Sequence, residues 1–113
     1  MLKKVSQVVL LKDFYGPLLT AKQQDALNMY YENDWSLSEI AISMNTSRQA
    51  AYDLVKRAEG VLHEYEDKLG LVAKFRRNRQ NLDELRLILE DSKADDPRMH
   101  KAVSLVEEIS TLL

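Results

Sequence analysis

Seven side chains between Thr46 and Arg57 have the types and the spacing to grip a nucleic acid. Arg48, Gln49, Tyr52 and Lys56 follow one another at intervals of one, three and four, so a helix opening after Ser47 carries them on its first turn and outer face. An Arg pairs with guanine and a Gln with adenine through two hydrogen bonds each, worth about 1–3 kcal/mol of discrimination per pair. Thr46, Ser47 and Arg57 are suited to hold backbone phosphates. Ala50 and Asp53 share the face and contribute little; the Asp53 carboxylate repels phosphate. The same residues also read as an ordinary solvated helix surface, so base reading stays one of two open readings. A second basic cluster, Lys74, Arg76, Arg77 and Arg79, is the densest in the chain. It suits phosphates in RNA, which is recognised by shape and backbone, or an acidic protein partner. A wet face around the apolar Phe75 is its alternative reading.

Other chemistry lacks its parts. There is no cysteine, and His63 and His100 have no second ligand at metal spacing. His63, Glu64, Glu66 and Asp67 are neighbours in sequence, but consecutive residues on one helix point in different directions. The chain has neither a glycine-rich phosphate loop nor a nucleophile elbow. The expectation is a protein that is not an enzyme and holds neither metal nor cofactor.

The elements that must position these residues are legible in the surrounding stretch, Ser36 to Leu62. Ser36 and Glu39 form a capping-box pair ahead of Ile40, Ala41 and Met44, which recur at helical spacing. Asn45 tolerates the left-handed backbone that ends a helix sharply, and Ser47 offers the next N-cap. Ala51, Leu54, Val55 and Ala58 form an inward stripe, which Leu62, Tyr65 and Leu69 extend past Gly60. Two helices with a tight turn and a small Ala41 at their approach describe a helix-turn-helix. The second helix, if unbroken from Arg48 to Leu69, spans roughly 33 Å at 1.5 Å per residue, more than groove reading needs.

The rest of the chain reads as further helix. One runs from Leu2 to Phe14 with Val5, Val8 and Val9 inward and ends at Gly16-Pro17. Thr20 and Gln23 cap another, through Tyr31, and Trp35 plugs the joint before Ser36. A fifth helix runs from Leu71 to about Glu90, with Leu71, Phe75, Leu85 and Ile88 among its apolar positions. After a polar loop from Asp91 to Asp96, Asp96 and Pro97 start a sixth. In that last helix Leu105, Val106, Ile109 and Leu112 belong to a coiled-coil-like seam, the expected contact with a second copy; an intramolecular core is the alternative. The expected fold is therefore all-α with about six helices and no wing. A helix-turn-helix part spans residues 1–70 and a two-helix extension spans 71–113, together one compact domain. The charge balance tempers the nucleic-acid reading. Net charge is −2 and pI about 5.7, with eight basic and ten acidic side chains in residues 1–70. Nucleic-acid contact must come from a local patch. The opening apolar run is cut at Lys12-Asp13, too short for a signal or a membrane span, which makes the cytoplasm the default location.

From Leu19 to Leu62 the chain resembles region four of bacterial sigma factors, on Leu19-Thr20, Gln24, Glu39-Ile40-Ala41, Ser47, Lys56-Arg57-Ala58 and Leu62. It departs from that pattern at Asn45, where glycine is usual, at Ala51, where Val or Ile is common, and at Asp53. Over its whole length, including MLKKVSQVVLLKDFYGPLLTAKQQ and NDWSLSEIA, it resembles the YlxM family of small bacterial helix-turn-helix proteins. That resemblance implies a sigma-like helical fold. Family members are encoded beside the signal recognition particle GTPase, and a regulatory or accessory role in that protein-targeting pathway is inferred for them. The partners so implied are the particle's RNA or its GTPase. A DNA-binding regulator using Arg48 to Lys56 and a protein-binding adaptor are the alternatives.

Overall fold

The computed structural model describes residues 2–91 and 96–113, with side chains from Gln7 onward. The polar loop expected after Asp91 and the inward side of Val5 lie outside them. Six α-helices and no strand occur among the described residues: α1 (Leu2–Tyr15), α2 (Ala21–Leu27), α3 (Leu37–Ser43), α4 (Arg48–Leu69), α5 (Leu71–Asp91) and α6 (Pro97–Leu112). A 3₁₀ turn, Gly16–Leu18, links α1 to α2. The chain divides into two compact units, Met1–Val72 and Ala73–Leu113.

In the first unit α1, α2 and α3 all pack on α4. The buried side of α4 repeats at intervals of four, three and four, Ala51, Val55, Ala58 and Leu62, each at most 2% exposed. That is the inward stripe of an amphipathic helix. Ala51 and Ala58 of α4, with Ala26 of α2 and Ala41 of α3, are small members of one buried core, where little bulk holds the backbones apart. Larger groups, Leu11, Leu27, Ile40 and Leu62, fill the space between; burying each stabilises by about 1.5–3 kcal/mol. Gly60 does not break α4. It lies on the exposed side, where the helix hydrogen bonds continue through it. Leu69, expected on the inward stripe, is 47% exposed, because the stripe drifts off the core in the helix's last turn.

Two further departures involve tyrosine. The second helix does not run as regular α-helix to Tyr31; after Leu27 it widens into a π turn, Asn28–Glu32, closed by Asn33 N–H to the Asn28 carbonyl at 3.0 Å. The widened turn brings the Tyr31 hydroxyl to Glu59 of α4, to which it donates. Tyr15, absent from the expected core of α1, is only 1% exposed. Its hydroxyl donates to Glu66 Oε1 at 2.5 Å and accepts from Leu71 N–H at 3.1 Å, while the same carboxylate oxygen accepts from Val72 N–H at 3.0 Å. Gly70, at φ 63°, ends α4 in the left-handed conformation, and these three bonds cap the first turn of α5.

In the second unit α6 starts as its sequence indicates, with Asp96 accepting from Arg98 N–H at 2.9 Å ahead of Pro97. Arg79 donates to the Ser110 carbonyl at 3.1 Å, joining α5 to α6. Val106 is buried within the single chain.

Candidate nucleic-acid interface

The turn between α3 and α4 is built by residues that each satisfy a helix end. Ser36 accepts from Glu39 N–H at 3.1 Å and Glu39 returns a bond to Ser36 N–H at 3.2 Å, a complete capping box. Ile40 and Ala41 dock α3 on the core. Asn45 takes φ 53°, and Thr46 N–H then reaches back to the Ala41 carbonyl at 2.9 Å, the six-to-one bond of a Schellman ending. The Ser47 hydroxyl accepts from Ala50 N–H at 3.1 Å and opens α4. The consequence is that Thr46, Ser47, Arg48 and Gln49 are all exposed on the turn and first residues of α4.

The candidate base readers are not equivalent. Gln49 donates to Asp53 Oδ1 at 3.0 Å, one turn along the same face. Lys56 lies 3.6 Å from Glu59 Oε2 and 5.7 Å from the centroid of the Tyr52 ring. Tyr52 itself is 39% exposed at the flank. Arg48 and Arg57 extend into solvent with no side-chain partner among the described residues. Glu59, which sequence reasoning missed, is a carboxylate only 7% exposed, held between Tyr31 and Lys56. Its signal was its place four residues after Val55, on the inner flank of α4. Burial, and then the hydrogen bond to Glu59, push the Tyr31 hydroxyl well above the usual tyrosine pKa.

Charge along α4 is segregated. Residues 48–57 carry three cations against Asp53, whereas residues 58–69 carry Lys68 against four carboxylates. Arg48 stands in the first helical turn, which holds no acidic residue. There a cation opposes the helix dipole, at about 0.3–1 kcal/mol. Beside this end, Lys22 of α2 joins Met44, Thr46, Ala50, Asp53, Leu54 and Arg57 around a cleft of about 260 Å³. No spacing rule relates Lys22 to residues so far along the chain, so only the fold brings it here.

The second basic cluster does not form one patch. Lys74, Arg76, Arg77 and Arg79 are all exposed on α5, but the pairs Lys74/Arg77 and Arg76/Arg79 are offset by two residues, about 200° around a helix. Arg79 is also engaged with Ser110. Of the seam residues, Leu105, Ile109 and Leu112 are 45%, 48% and 80% exposed, whereas Val106 is buried in its own chain. Trp35 is half-buried against the core, as a plug should be.

Comparison with known proteins fits this geometry. The model of the UPF0122 family, described as a helix-turn-helix protein, YlxM / p13 like, matches residues 2–104. The chain belongs to the UPF0122 family. Relatives include the UPF0122 proteins of Symbiobacterium thermophilum, 48% identical over 79% of this chain and 83% of that one, and of Bacillus mycoides, 40% identical over 96% and 99%. The UPF0122 protein of Limosilactobacillus reuteri is 42% identical over 86% of each chain. The description of UPF0122 is that of a helix-turn-helix family. Among the described residues no helix is long and apolar enough to cross a membrane, and no group of three or more metal-ligating side chains gathers.

Proposed function

We propose that this protein is a regulatory or accessory factor of the signal recognition particle pathway that binds the particle's RNA through backbone and shape. The pathway rests on the family resemblance; the mode of binding rests on the α4 end. One observation carries it: the cations without partners, Arg48 and Arg57, flank the first turns of α4, while the base-reading candidates Gln49 and Lys56 are engaged within their own helix. Free guanidinium groups on two sides of an exposed helix end suit phosphate contact. Lys74, Arg76, Arg77 and Arg79 extend that capacity over two sides of α5.

The runner-up is a DNA-binding regulator in which Gln49 releases Asp53 on docking and reads adenine beside Arg48. Exposure of the whole first turn favours it. An adaptor that binds the GTPase is the third reading. Leu105, Ile109 and Leu112 support a homodimer, since the Ala73–Leu113 unit leaves these large apolar groups uncovered.

Binding of labelled particle RNA, duplex DNA and purified GTPase over a salt series separates the readings. The proposal expects RNA affinity that falls steeply with salt, weakens on Arg48→Ala and Arg57→Ala, and is unaltered by Gln49→Ala. A loss on Gln49→Ala confined to one DNA sequence establishes the regulator instead. Binding of the GTPase alone, without nucleic acid, establishes the adaptor.

A further inference from the structure

The cleft beside the α4 end combines groups that no single helix carries. Lys22 comes from the first turn of α2, Thr46 from the α3–α4 turn, and Asp53 and Arg57 from the second and third turns of α4. We propose that this cleft seats one backbone phosphate of the bound nucleic acid, with Lys22 and Arg57 closing on it from two helices and the Thr46 hydroxyl donating to it. The proposal rests on the reading of the protein as a nucleic-acid binder and adds to it a site and a residue, Lys22.

Charge, size and position point to this occupant. The lining holds two cations and one carboxylate, a net charge of +1 that a phosphodiester at −1 balances. The carboxylate is partly answered already, because Asp53 Oδ1 accepts from Gln49. Lys22 and Arg57 have no side-chain partner among the described residues, so nothing must be broken for either to turn toward an anion. At about 260 Å³ the cleft lies below the roughly 300–1,000 Å³ of pockets that hold small molecules and cofactors. That volume accommodates a single phosphate group. Its other lining, Met44, Ala50 and Leu54, is apolar and offers no competing charge. It adjoins the first turns of α4 and the exposed α3–α4 turn.

The gain over a surface of scattered cations is orientation. A phosphate held from two helices sets where the strand lies against α4, whereas Lys74 and Arg77 on α5 only attract it. Asp53, which looked out of place on a phosphate-binding face, then sets the net charge of the seat and works against a second phosphate.

The test is fluorescence anisotropy with labelled particle RNA at several salt concentrations, using the full chain and its Lys22→Ala, Arg57→Ala and Asp53→Asn variants. All three side chains are exposed, and circular dichroism verifies that each variant is folded. Loss of one phosphate contact lowers the slope of log affinity against log salt by about 0.7 for single-stranded and 0.9 for duplex-like sites. Lys22→Ala and Arg57→Ala should each lower the slope by up to that amount, with affinity reduced severalfold. Asp53→Asn should tighten binding, because the seat gains one unit of positive charge. If the full chain binds and both alanine variants keep its slope, the cleft is not the seat, though the protein remains a nucleic-acid binder. Weaker binding by Asp53→Asn also overturns the seat, since the carboxylate is then needed by the occupant. A full chain that binds no nucleic acid at low salt overturns both readings together.

Discussion

Replacing Tyr15 with Phe removes one oxygen from the best-connected polar group of the first unit. The ring stays, with its place in the core and its stacking on Tyr65 at 5.9 Å between centroids. Two hydrogen bonds are lost: the one donated to Glu66 Oε1 at 2.5 Å, and the one accepted from Leu71 N–H at 3.1 Å. The bond to the carboxylate is the larger loss, because its acceptor is charged whereas the bond from Leu71 N–H joins neutral groups. A hydrogen bond to a charged group is worth about 1.5–3 kcal/mol net. The expected destabilisation is about 2 kcal/mol, which lowers Tm by roughly 8–16 °C for a unit of this size. Urea unfolding at pH 7 measures it. The pH dependence adds a second readout. Burial first, and then the bond to Glu66, raise the Tyr15 pKa above the usual 10.0. The folded protein therefore keeps its proton where the unfolded chain has lost it. The stabilisation is fully present below pH 10 and is lost as pH rises through the folded value. Tyr31 is raised in the same direction, so the wild-type protein should weaken above pH 10 more steeply than Tyr15→Phe. Equal stability of the two at pH 7, or parallel decline above pH 10, refutes the reasoning.

Gly60→Ala should stabilise the protein by about 0.5–1 kcal/mol in the same unfolding assay, since the site is helical and an added Cβ meets nothing within 4 Å. If the dimer proposal holds, Ile109→Glu should convert a dimer to a monomer by sedimentation equilibrium with helicity unchanged. Ile109 is 48% exposed and shares a shallow cleft with Leu82 and Leu113, so a new charge there disrupts the apolar contact.

Much of the architecture is local and was therefore legible before any coordinates. Capping boxes at Thr20 and Ser36, the left-handed ending at Asn45 and the N-cap at Ser47 depend on residues within four or five positions of one another. Helical periodicity made the inward stripe of α4 readable for the same reason, but it left open whether Gly60 interrupts the helix, which the structure shows running unbroken from Arg48 to Leu69. Local signals failed where a polar side chain earns its position through a distant partner. Tyr15 falls just past the expected end of the first helix at Phe14, and its hydroxyl finds its partner only in Glu66, fifty-one residues later. Tyr31 and Glu59, twenty-eight apart, pair because a π turn widens the end of the second helix, a deviation that no capping residue announces.

The candidate site divides in the same way. Sequence alone determined that Thr46 to Lys56 would present a cation and an amide on an exposed first turn, because helix phase follows from the N-cap at Ser47. Tertiary structure decided which of those groups are free and which new one joins them. Lys22 and Arg57, thirty-five residues apart, line one cleft because α2 packs on α4. Periodicity orders the side chains of one helix; only packing orders those of two.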